Sequence, residues 1–335
     1  MTFTIQLAHG GGGVKSRALI RDIFAKRFAN PALDAMGDSA VVEVPRSRLA
    51  FTTDAFVVKP LFFPGGDIGK LAICGTVNDL AAAGARPLYL SASFVIEEGF
   101  EIASLERIAD SMAKTAREAG ASIVAGDTKV VEHGGCDGLF ISTSGVGELF
   151  VSRPMDPARI EPGDAVIING PVADHGMAIM AAREGLSFTT EIESDCAPLA
   201  ALAELLAAAV PEVRFMRDAT RGGLSAVLNE AVEDRPFGIE IEESRVPLRE
   251  GTAAACELLG LDPLNVANEG KLVVVVPERS AMFALATMQG HPLGKGSAII
   301  GQATAEEAGR VTLLTSVGTR RLVAMPSGEE LPRIC

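Results

Sequence analysis

The residues that could do chemistry are four aspartates, a run of glycines and a terminal thiol. Asp38 precedes the apolar Ala40–Val44, and Asp54 follows Phe51-Thr52-Thr53. Asp79 lies within Val77-Asn78-Asp79-Leu80, and Asp127 follows Val124-Ala125-Gly126. Mg²⁺ prefers hard oxygen ligands, and carboxylates at the ends of strands can converge on one ion. Taken singly, each aspartate also suits a cap or a turn. Asp79 interrupts a segment rich in Ala, Val and Leu, where a charge needs a partner or a metal. As a set, the four point to metal–nucleotide binding.

Gly10–Gly13 follow His9, and their unhindered backbone amides could wrap an anion or simply form a loop. No segment has the P-loop spacing: GGGVKS, Pro64–Leu71 and Gly290–Gly296 each miss a required glycine or hydroxyl position. In Arg217–Gly223 (RDATRGG) two glycines open a helix after Asp218 and Arg221. This suits a phosphate at a helix N-terminus, or equally a cap by Asp218 or Thr220. Glu269 in Asn268-Glu269-Gly270-Lys271 reads as part of a turn before an apolar strand, or as a catalytic carboxylate. Cys335 is the last residue, where a thiol can reach solvent or another active site. A chance surface cysteine is the alternative. Cys74, Cys136, Cys196 and Cys256 are far apart without a CxxC pair, which argues against disulfides or a zinc knuckle. They read as buried small residues.

The elements that must position these groups alternate between strand and helix. Strands are expected over Leu49–Thr53, Leu88–Val95, Ser122–Ala125 and Leu139–Leu149. Helices are expected over Asp67–Ala83, with Asp67 as N-cap, and over Ile102–Ala119. The proline-rich Ser152–Asp164 reads as a linker. A new segment starts at Ala165–Asn169, with helices near 174–184, 197–208 and 222–233 and strands near 238–242, 271–276 and 297–301. The fold class is α/β (α+β), with two mixed domains at 1–155 and 156–325. The prolines and glycine of 326–335 predict a mobile tail.

The 335 residues are 48% hydrophobic, enough for sizeable cores, but only 5% aromatic, so small aliphatics carry the packing. A net charge of −13 without a basic tract disfavours nucleic acid and anionic membranes. The N-terminus has no signal-peptide pattern and no stretch is apolar enough to span a bilayer, so a cytoplasmic location is expected.

Nine segments resemble the hydrogenase maturation factor HypE family of the PurM-like ATP-binding superfamily. They are AHGGGG (8–13), FTTDAFVV (51–58), PLFFPGGDIGKLAICGTVNDLA (60–81), AGDTKVV (125–131), DHG (174–176), RDATRGGL (217–224), ANEGKLV (267–273), HPLGK (291–295) and the terminal PRIC (332–335). The resemblance covers essentially the whole chain, and its last motif is the most specific. It implies a PurM-like fold, a homodimer formed by the N-terminal domain, and ATP with Mg²⁺. Asp38, Asp54, Asp79 and Asp127 would hold the metal and phosphates. Asn78, Thr128 and Gly10, Gly11, Gly12 and Gly13 would help, and Asp218 and Arg221 would approach from the second domain. Gly37 stands where many members have an acid, which leaves one ligand open.

The resemblance further implies that a HypF-like partner loads carbamoyl onto Cys335, which ATP-dependent dehydration turns into a thiocyanate. A HypC–HypD-like complex would then take the cyanide for the iron of [NiFe]-hydrogenase. Lys129 and Glu269 are the candidate bases. The rivals are another PurM-like enzyme, such as a thiamine-phosphate kinase or a selenophosphate synthetase, and an ATP-binding scaffold whose Cys335 is a passive carrier. None of those other PurM-like enzymes needs a terminal cysteine.

Overall fold

The computed structural model describes residues 4–9, 15, 18–34, 42, 44, 47–185, 192–326, 331 and 333–335. Gly10–Gly13 and Asp38 lie outside this set.

The first domain is a four-stranded sheet in the order β1-β6-β4-β5. Its strands are β1 (Leu49–Phe56), β4 (Ala85–Glu97), β5 (Ser122–Val131) and β6 (Leu139–Leu149). A short hairpin, β2 (Phe62–Phe63) with β3 (Gly66–Asp67), leads into helix α1 (Ile68–Ala82). Helix α2 (Ile102–Glu118) carries the chain from β4 to its parallel neighbour β5. Asp67 caps α1 as expected, its carboxylate accepting from the Gly69 and Lys70 N–H groups at 2.8 and 2.9 Å.

Helix α1 is buried on nearly every side, because the sheet lies under it and the second domain over it. Gly75 lets it approach β1, since a Cβ there would meet the Phe56 ring at 2.8 Å. The strand expected to end at Ala125 runs on to Val131, and β1 runs on to Phe56. Asp127 and Asp54 are therefore inside strands rather than at their ends, because sheet pairing continues past the polar residues.

The second domain is a seven-stranded sheet in the order β13-β12-β9-β11-β7-β10-β8. The strands are β7 (Ala165–Ile168), β8 (Phe215–Asp218), β9 (Gly238–Glu242), β10 (Leu272–Val276), β11 (Ala298–Thr304), β12 (Val311–Leu314) and β13 (Arg320–Val323). Helices α3 (Asp174–Glu184), α4 (Ala200–Ala209), α5 (Gly223–Val232), α6 (Glu250–Leu259) and α7 (Glu278–Gln289) complete it. The apolar run of β10 is buried on both faces: Val274 and Val276 join the core that holds Leu202 and Met288, and Val273 and Val275 the core that holds Leu224 and Leu228. β8, which the sequence reading missed, pairs with β10 so that Asp218 lies beside Leu272.

The tail expected to be mobile is docked over its described residues. The Val57 and Lys59 N–H groups donate to the carbonyls of Cys335 and Arg333 at 3.3 and 3.1 Å, extending β1 with an antiparallel partner. Arg183 donates to the Arg333 carbonyl at 2.7 Å, and Arg333 pairs with Asp137. The Leu331 and Ile334 side chains are buried.

Candidate active site

The cleft between the domains is built from both of them. Asp54 on β1 and Asp79 on α1 face each other beneath it. Thr76 donates to Asp54 at 3.1 Å and Thr52 donates to Asp79 at 2.6 Å. The second domain adds Asp218 at the end of β8 and Arg221 in the turn that follows. That turn needs its two glycines: Gly222 and Gly223 have φ of 74° and 60°. A Cβ on Gly223 would also lie 2.6 Å from the Leu264 and Val266 carbonyl oxygens. The cap of α5 is Gly222 with no side-chain bond, so Asp218 and Thr220 do not serve as the cap. Asp54, Asp79, Asp218, Thr220 and Arg221 line a cavity of about 440 Å³.

Too little positive charge faces these acids. Burial, and then repulsion from Asp79, pushes the Asp218 carboxyl up to about 7. Burial and Asp79 also raise the Asp54 carboxyl, with Thr76 and Arg221 acting against them.

A smaller recess of about 40 Å³ adjoins this cavity, and Asp54, Asp79, Asp218, Arg221, Glu269 and Cys335 all line it. Glu269 is 2% exposed, and its Oε2 has no hydrogen-bond partner. Burial drives its carboxyl well above the usual range, and the nearby Cys196, Asp218, Asp195 and Asp54 add to the effect. Its backbone is fixed from both sides. The Glu269 and Gly270 N–H groups donate to Asp195 at 3.1 and 3.2 Å, and Lys271 closes on Asp195 at 2.7 Å. A Cβ on Gly270 would collide with the Asp195 carbonyl oxygen. The turn reading of this segment accounts for its glycine but not for a buried, unpartnered carboxylate.

Asn78 does not present itself to a nucleotide. Its amide nitrogen donates to the Ala197 and Glu269 carbonyls, both at 3.1 Å, and its oxygen accepts from the Leu199 N–H at 2.7 Å. With both amide hydrogens and the oxygen engaged and the residue buried, Asn78 is a latch between the domains that also steadies Glu269.

Asp127 and Lys129 lie elsewhere in the chain. Ala55, Ser142, Ser93 and Asp127 stand in register across the four strands, and residues directly opposite share a face. Thr143, next to Ser142, bonds back to Ala72 of α1, so the Asp127 row faces away from α1. β5 and β1 are also opposite edges of the sheet, roughly 14 Å apart at three strand spacings. The expected meeting of Asp127 with Asp54 and Asp79, and of Lys129 with Glu269, does not occur within one chain. Among the described residues, no three His, Cys, Asp or Glu side chains are placed to hold a metal.

Thr128 and Asp127 instead border an apolar cavity of about 280 Å³ under Phe24, Phe28 and Phe94, with His9 at its rim. Cys74, Cys196 and Cys256 are buried as expected, but Cys136 is half-buried. The sequence reading missed Asp195 and His175. His175 stood in the quoted DHG segment without a role; Asp195 had no local signal.

The family profiles "AIR synthase related protein" match at residues 36–149 for the N-terminal domain and 161–314 for the C-terminal domain. The carbamoyl dehydratase HypE of Rhodobacter capsulatus is 53% identical over 333 residues, covering 99% of this chain and 98% of the relative. A crystal structure of the hydrogenase maturation protein HypE in complex with ATP superposes with a TM-score of 0.96 at 45% identity, over 99% of this chain and 100% of that one. HypE in a HypE–HypF complex superposes at 0.81 with 49% identity, over 92% and 100%. No helix among the described residues is long and apolar enough to cross a membrane. This chain belongs to the HypE family of carbamoyl dehydratases, hydrogenase maturation enzymes built from two AIR synthase related domains.

Proposed function

We propose that this chain uses ATP to dehydrate a carbamoyl group on its own Cys335, leaving a thiocyanate. The observation that carries this reading is the docking of Cys335 in the recess that holds Glu269, Asp54, Asp218 and Arg221. In S–C(=O)–NH₂ the carbonyl oxygen is a poor leaving group. Transfer of the ATP γ-phosphoryl group to it makes it a good one, and loss of the nitrogen's protons expels phosphate and leaves S–C≡N. The balance is thiocarbamate plus ATP giving thiocyanate, ADP and phosphate. The tether supplies the substrate at high effective concentration.

Glu269 is the base. It is unpartnered and faces the recess. Arg221 and a cation in the cleft would draw its carboxyl back toward the ionised form. Asp54, Asp79 and Asp218 are hard oxygen donors lining one cavity, and Mg²⁺ would be held jointly by them and the ATP phosphates, since the three carboxylates are not by themselves placed around one ion. The ion would offset charge on the transferring phosphoryl group. Asp38 is a further candidate ligand.

The cavity under Phe24 and Phe94 suits the adenine base, with Thr128 and Asp127 at its border. Gly10–Gly13 are candidate phosphate donors by residue type alone. The ATP complex of the solved relative supports ATP as co-substrate. A homodimer through the open sheet face fits the exposure of Phe51 at 72%. Asp127 and Lys129 share that face, so Lys129 would act from within the pair. The HypE–HypF complex supports a HypF-like carbamoyltransferase as the donor partner, and a HypC–HypD-like complex is the proposed acceptor of cyanide.

The test is the mass of the C-terminal peptide after carbamoylated protein meets Mg-ATP. ATP-dependent loss of one water at Cys335 is expected. ATP hydrolysis with the carbamoyl group intact would overturn the dehydration chemistry. Lys129→Ala in the same assay separates the two candidate bases.

A further inference from the structure

His175 touches the tail, yet the proposed chemistry leaves it unused. It sits in the first turn of α3 with no exposed surface. Its Nε2 lies 2.7 Å from the Ile334 carbonyl oxygen and its Nδ1 lies 2.8 Å from the Ser194 hydroxyl. A carbonyl oxygen only accepts, so Nε2 carries the hydrogen. Nδ1 of the neutral ring then accepts, and the Ser194 hydroxyl donates to it. That hydroxyl oxygen in turn accepts from the Cys196 N–H at 3.1 Å. The chain of bonds therefore has one direction, from the Cys196 amide through Ser194 and His175 to the Ile334 carbonyl. The Phe63 ring stands edge-on to the imidazole at 5.6 Å between centroids and limits its rotation.

The Ile334 carbonyl belongs to the last peptide bond of the chain, the one that carries Cys335. Arg183 and the Lys59 N–H grip the Arg333 carbonyl, one peptide farther from the thiol. We propose that His175 is a positioning residue: its Nε2–H holds the final peptide so that the Cys335 side chain stays in the recess with Glu269. The proposal rests on the reading of Cys335 as the carbamoyl carrier.

The test uses the full chain in two assays. One follows, at saturating Mg-ATP, the first-order loss of water from carbamoylated Cys335, together with the ATP concentration for half the rate. The other follows alkylation of unmodified Cys335 by iodoacetamide, read on the C-terminal peptide. His175→Phe keeps a ring but removes the donor, and His175→Gln offers an amide N–H to the same carbonyl. The Phe variant is expected to dehydrate about tenfold more slowly, with unchanged half-saturation by ATP and faster alkylation. The Gln variant should recover most of both losses. Ser194→Ala, which frees the ring to change tautomer, should move both readouts the same way by less, and it serves if the Phe variant does not fold. Wild-type behaviour of the Phe variant in both assays would overturn the proposal. So would equal losses in folded Phe and Gln variants, which would mark a purely structural role. If the wild type itself fails to dehydrate Cys335, the carrier reading falls, and the alkylation ratio alone decides whether His175 holds the tail.

Discussion

Asp195 and Glu269 are neighbours, the Glu269 N–H donating to the Asp195 carboxylate, and both side chains are almost without solvent, yet the fold treats their charges in opposite ways. Burial works against the Asp195 charge, but the Lys271 ammonium and the Glu269 N–H outweigh it and hold that carboxyl below the usual range. Glu269 has no cation bonded to it, has an orphaned oxygen and has three acids nearby, so its carboxyl is driven up. Burial alone therefore does not mark a reactive group. A compensated carboxylate braces the backbone, and an uncompensated one is left free for chemistry.

The sharpest break of this comparison is Glu269→Gln. It should slow thiocyanate formation about 100-fold or more, the scale of a lost general base, while leaving the fold intact. A near-wild-type rate by peptide mass would place the base elsewhere.

Asp195→Asn should do the reverse, lowering stability by about 3–5 kcal/mol because Lys271 is left with an uncompensated buried charge. Chemical denaturation would reveal this, and a loss near zero would mean that the pair does not brace the turn.

Asp218 belongs with Glu269. Its folded-state carboxyl at about 7 lies above the unfolded value of 3.8. Its contribution is therefore fully present below the unfolded value and is lost as pH rises through about 7. Asp218→Asn should stabilise the ligand-free protein by up to about 4 kcal/mol at pH 8 and by nothing below about pH 4. Equal effects at both pH values would contradict the crowding of the three acids.

The exposed Arg86–Glu204 pair calibrates the scale. Arg86→Ala should change stability by less than about 0.5 kcal/mol, and its loss should fade further in high salt.

Much of the fold was legible because local rules govern it. The ends of β6 (139–149), α3 (174–184) and β9 (238–242) fall where the periodicity and breakers placed them. Asp67 caps α1 because an acid before an apolar helix has few better uses. Helices α6 and α7 were not anticipated, and both are only weakly amphipathic: α6 packs beside α3, and α7 lies over the interior strands β7, β10 and β11 and beside α4. Asp54, Asp79, Asp218, Arg221 and Glu269 were read as site residues, and the fold brings them to one cleft. Asn78 was misread, because its three bonds go to residues more than a hundred positions away.

The sequence by itself determined the family, most of the strand and helix segments, and the stock of acids, glycines and one terminal thiol. All of these follow from residue type and short spacing. Only the tertiary structure decided which acids meet. Strand alternation turned Asp127 to the face opposite Asp54, since a side chain's direction in a sheet depends on register rather than on motif. It also decided that Cys335 docks beside Glu269 of its own chain, because the donors that hold the tail come from β1's extension and from α3. Those segments come together only when the two domains pack.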